Sequence, residues 1–74
     1  MRNDNLVSTA ELARGDLALM LAVCEVVCIS TKATSLQVEA ATNTRRSIVS
    51  AINGATKLKV QVANARFEKL VALL

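Results

Sequence analysis

Residues 17–29, "LALMLAVCEVVCI", constrain this chain more than any other stretch. A single charge, Glu25, interrupts thirteen residues that are otherwise apolar. Projected at 100° per residue together with their neighbours, Ala10, Ala13, Leu17, Leu21, Cys24 and Cys28 form one stripe. Leu12, Leu19, Val23 and Val26 cover the opposite side, and Glu11, Arg14, Glu25 and Lys32 are confined to a narrow strip between. A helix apolar over most of its circumference is buried on most sides. Two further helices of the same short chain are too few to cover it, so this helix predicts association with another chain.

The run is too short for a bilayer, which needs about 20 consecutive apolar residues. An acidic residue inside it and the lack of a small-residue cleavage site argue against a secretory signal. "LAVC" at residues 21–24 places Val23 where a lipoprotein box takes a small residue. The expectation is a cytoplasmic protein starting near Met1, with leaderless export as the alternative.

With 74 residues the chain supports one domain, and one that is marginal alone. Two Cys and no His supply neither a disulfide framework nor an ordinary zinc site, so association is the remaining source of stability. Hydrophobic residues make up 53% of the chain, with Phe67 the single aromatic and no Pro. Such a composition suits closely packed helices of Ala, Val, Leu and Ile. The predicted class is all-α: a helical hairpin or small three-helix arrangement, completed by oligomerisation or a partner chain.

Along the chain, residues 1–7 read as a polar lead-in and 8–74 as a single helical domain. Ser8-Thr9-Ala10-Glu11 fits a capping box, with Val7 and Leu12 placed for a hydrophobic staple. From there one helix is projected over residues 10–32. Thr34-Ser35-Leu36-Gln37 is a second capping-box pattern; one reading is a turn near residues 30–34, the other a helix continuing to about Thr42. The polar run "TNTRRS" at residues 42–47 is a rival turn, and Asn53-Gly54 reads as a helix C-cap or tight turn. In "TKLKVQVANARFEKL", residues 56–70, the first six alternate like a strand. As a helix, Val60, Ala63, Phe67, Leu70, Val71 and Leu74 instead share an arc of about 100°. The longer pattern predicts a helix. The alternative is a small α+β fold that pairs "VCEVVCIS" with "KLKVQVA" as two short strands.

No catalytic constellation is present. There is no Gly-rich phosphate loop, Ser-His-Asp set or paired-carboxylate spacing, which predicts a non-enzyme with no cofactor, metal site or small-molecule substrate. Cys24 and Cys28, four apart on one helical face, read as small buried side chains. Glu25 reads as the partner of a basic residue. The seams expected to carry association are Leu17, Leu21, Cys24 and Cys28, then Ile48 and Ile52, then Val60, Phe67, Leu70 and Leu74.

Charge divides the chain. Residues 1–40 carry three basic and five acidic side chains, residues 41–74 six basic and one acidic. Opposite halves suit antiparallel contact, within one chain or between two. Arg45, Arg46, Lys57 and Lys59 are the candidate anion contacts, with Arg45 placed to meet Glu25 or Glu39.

In size, helicity and composition the chain resembles the small α-helical hairpin subunits and co-chaperones of bacterial secretion machines. The resemblance implies an assembly or chaperone role with protein partners, and no residue is carried over from it. The function expected from the residues is a helical interaction or assembly subunit that packs amphipathic helices against itself or a helical partner protein. The alternatives are a basic regulator that binds nucleic acid, and a peripheral protein bound to a membrane surface through its C-terminal helix.

Overall fold

The computed structural model describes residues 4–74, with side chains from residue 6 onward. Four helices follow one another: α1 Asp4–Ala13, α2 Leu17–Ile29, α3 Ser35–Asn53 and α4 Lys57–Leu73. No strand occurs among the described residues, so the α+β alternative is overturned. The basic stretch is helical because Thr56 caps it, its side chain accepting from Lys59 N at 3.2 Å. The whole arc from Val60 to Leu74 then turns inward, with Ala63, Phe67, Leu70 and Val71 buried.

The long helix projected over residues 10–32 is two helices. Gly15 has φ +84°, a left-handed conformation that ends α1, and Asp16 then caps α2 by accepting from Leu19 N at 3.2 Å. The apolar stripe runs through this break without a gap in its spacing, so the count rises to four helices.

Ser8 lies inside α1 and caps nothing, because the helix has already begun at Asp4. Val7, Ala10 and Ala13 bury one face of α1, and that packing sets its position, while Leu12 stays in solvent and makes no staple. Of the expected lead-in, residues 1–3 lie outside the described residues and the rest is helix.

The second box forms. Gln37 N donates to Thr34 Oγ1 at 3.1 Å, and Thr34 N donates to Gln37 Oε1 at 2.9 Å. The rival turn at residues 42–47 does not form. Thr42 and Thr44 donate back to the carbonyls of Val38 and Ala40 at 2.9 and 2.7 Å, so their hydroxyls are satisfied within α3. Gly54 caps α3, its N–H reaching Ser50 O at 3.1 Å.

Packing runs α1 to α2, α2 to α3, α3 to α4, and α4 back to α1, a closed ring of neighbours. Phe67, Met20, Ile48, Leu70, Val27 and Cys24 fill its centre. Burial of each large side chain contributes about 1.5–3 kcal/mol. Two polar contacts tie α3 to α4: Thr44 Oγ1 lies 3.2 Å from Arg66 O, and Gln37 Nε2 donates to Leu73 O at 2.7 Å. Arg14 Nε lies 2.8 Å from Glu68 Oε1, linking the end of α1 to α4.

Candidate interaction surface

The ring uses most of the residues that the sequence offered for association. Cys24, Ile48, Phe67 and Leu70 are buried in the chain's own core, and Leu17, Leu21, Cys28, Val60 and Leu74 pack partly buried against it. Only Ile52, near the end of α3, keeps about half of its surface in solvent.

The other side of the α2 projection stays open. Leu19 and Val26 are half-exposed, and Ile29 is 80% exposed. Ala18 and Ala22 lie on the same outer face, which holds no polar side chain until Glu25 at its edge. Because α1 folds back at Gly15, Leu12 joins this face at 83% exposure. Between the two helices is a groove of about 290 Å³. Leu6, Leu12, Ala13, Leu19, Val23 and Val26 line it with Ala22, and Thr9 is its only polar contributor. Leu12, Leu19, Val23 and Val26 are the set that the helical projection had placed opposite the core stripe. The surplus was therefore visible in the sequence, but the fold-back of α1 that turns it into a groove was not.

Acidic side chains border this face. Asp16 opens α2 and Glu25 stands at its far edge, both exposed; Glu11 lies on the far side of α1, opposite the groove-lining Leu6, Thr9 and Ala13. Glu25 reaches Arg45 Nε of α3 at 3.9 Å, a long contact between half-exposed groups that adds little stability.

The four candidate anion contacts do not converge. Arg45 turns toward α2 and Glu25, while Arg46, one residue on, turns outward. Arg46 and Lys59 flank a shallow groove on the outer side of α3 and α4, floored by Leu58 and Val62 with Ser47 and Ser50 alongside. Lys57 is exposed in the first turn of α4. Arg66 and Lys69, which the sequence groups with Lys57 and Lys59 as basic residues of the C-terminal stretch, continue the same side beside Asn43. Antiparallel packing of α3 on α4 brings them into line with Arg46, a juxtaposition set by tertiary register rather than by spacing.

Cys24 is buried, and burial pushes its thiol up to about 12, with Cys28 adding to the rise. It stays protonated and unreactive at neutral pH. Cys28 is half-buried, its sulfur 3.8 Å from Thr42 Oγ1. Among the described residues no three His, Cys, Asp or Glu side chains gather as metal ligands, and no helix is long and apolar enough to cross a membrane.

No protein-family model matches the chain, and neither a curated protein nor a solved structure does.

Proposed function

We propose that the chain is a non-enzymatic helical assembly subunit that works by docking the α1/α2 face against a helical partner. The observation that supports this reading is the continuity of the exposed apolar surface from Leu12 through Leu19 and Val26 to Ile29. Isolated exposed apolar residues are normal, but a connected groove almost without polar atoms marks a site of association. Its cost in water is removed when a partner helix fills it.

Sedimentation velocity on the purified chain and on a Leu19→Lys/Val26→Lys variant tests the reading. Both positions face solvent, so the variant keeps its helical circular dichroism. The native chain sediments as a complex heavier than its own 7.9 kDa, with itself or with a co-purified helical chain, and the variant sediments as a monomer. A native chain that is monomeric and carries nothing, like the variant, overturns the proposal.

A further inference from the structure

Two open grooves of this molecule differ in charge and lie between different pairs of helices. One is walled by α1 and α2, the other by α3 and α4, and they share no lining residue. The first is apolar with Asp16 at the start of α2 and Glu25 at its far edge. The second has an apolar floor, Leu58 at 69% exposure and Val62 partly exposed, between basic walls. Arg46, Lys59 and Lys69 make no ion pair among the described residues, and Arg66 reaches only the carbonyl of Asn43, at 3.5 Å.

From this we infer that a second copy of the chain occupies the α1/α2 face, head to tail, through its own outer α3/α4 face. The inference rests on the assembly reading above and names its partner. Charge complementarity selects this arrangement over a symmetric one. Two α1/α2 faces brought together would oppose carboxylates to carboxylates; Arg14 is already held by Glu68 at 2.8 Å, and Arg45 reaches only the edge of the face, at Glu25, over 3.9 Å. Head to tail, Asp16 and Glu25 of one copy meet Arg46 and Lys59 of the next, while Leu12, Leu19 and Val26 cover Leu58 and Val62. The same apolar floor argues against a phosphate backbone as the occupant of the basic side, which also lacks aromatic side chains on which bases stack. A heterologous contact between two different faces propagates, closing into a ring or continuing as a filament.

The test is complementation between two blocked variants. Leu19→Lys/Val26→Lys disables one face and Arg46→Glu/Lys59→Glu disables the other; all four positions are exposed, and unchanged helical circular dichroism confirms the fold of each variant. In sedimentation velocity each variant alone is expected to be a monomer. Mixed in equal amounts, they are expected to form a complex of two chains and no larger, because each retains the face that the other lacks. The inference is overturned if the mixture stays monomeric, or if Arg46→Glu/Lys59→Glu assembles as the native chain does. Either result with a self-associating native chain leaves the assembly reading standing. A native chain bound to a different protein also overturns the inference alone. A native chain with no partner at all overturns both.

Discussion

Substituting Gly15 tests the break between α1 and α2 by the sign of its effect. If residues 10–32 formed one helix, Gly15 would be a helix-interior glycine. Gly15→Ala would then stabilise the protein by about 0.5–1 kcal/mol. In the structure Gly15 has φ +84°, where an L-residue costs about 1–2 kcal/mol. No atom lies within 4 Å of a Cβ built there, so sterics add nothing and the whole effect comes from the backbone. For a domain of this size a loss of 1–2 kcal/mol lowers Tm by about 4–16 °C. Thermal unfolding followed by helical circular dichroism measures it, at one protein concentration because association also raises Tm. Gly54 supplies the control. Its φ of −159° is extended backbone, and an added Cβ would meet only Lys59 Nζ, at 3.4 Å, the mobile end of a side chain. Gly54→Ala is therefore expected to leave Tm within a few degrees of the native value. A rise in Tm on Gly15→Ala would refute the break, and with it the groove that α1 makes by folding back.

Two further expectations concern the core. Phe67→Ala removes the largest fully buried side chain and is expected to cost about 3–5 kcal/mol, set against a total of about 4–11 kcal/mol for 74 residues. Urea unfolding should show most of the stability gone, and a loss below about 1 kcal/mol would contradict the placement of Phe67 at the centre. For the thiols, Cys24 is raised to about 12 in the fold, whereas an unfolded thiol titrates near about 8.5. The unfolded chain therefore releases this proton first, so the contribution of Cys24 is complete below about pH 8.5 and is lost as pH rises toward 12. Native Cys24 should react with a thiol reagent only through unfolding, after Cys28, and the alkaline loss of stability should be smaller in Cys24→Ala. Equal reaction rates for the two thiols would contradict the burial.

What the sequence made legible was local or periodic. The α4 arc from Val60 to Leu74 could be read because six apolar residues keep helical spacing through an alternating start. The Thr34–Gln37 box could be read because both partners lie within one turn. An acidic partner for Arg45, Glu25 or Glu39, could be read from its position on the apolar side of its helix, and the packing of α2 on α3 makes it Glu25. Gly15 was not legible as a break, because Ala10, Ala13, Leu17 and Leu21 keep their stripe across it and nothing in their spacing records a change of direction. The Ser8 box failed for the converse reason. A capping pattern is a weak local preference, and burial of Val7, Ala10 and Ala13 outweighs it.

The association surface shows the same division at a larger scale. The seams with the best apolar spacing, those through Cys24, Ile48, Phe67 and Leu70, were offered to a partner, and the chain consumes them in closing its own ring. That outcome follows from size. A 74-residue chain has few large apolar side chains, and its best-matched stripes stabilise it most when they meet each other. The informative residues are those left over once the core is satisfied: Leu12, Leu19, Val26 and Ile29 on one side, Leu58 and Val62 on the other. Neither group has a polar role, and each is bordered by charge of the sign opposite to that beside the other. Among the described residues the acidic and basic halves form ion pairs only at the long Glu25–Arg45 contact and, against the general trend of the halves, at Arg14–Glu68. Most of the charge asymmetry is therefore unspent among the described residues, and the proposed head-to-tail arrangement rests on it.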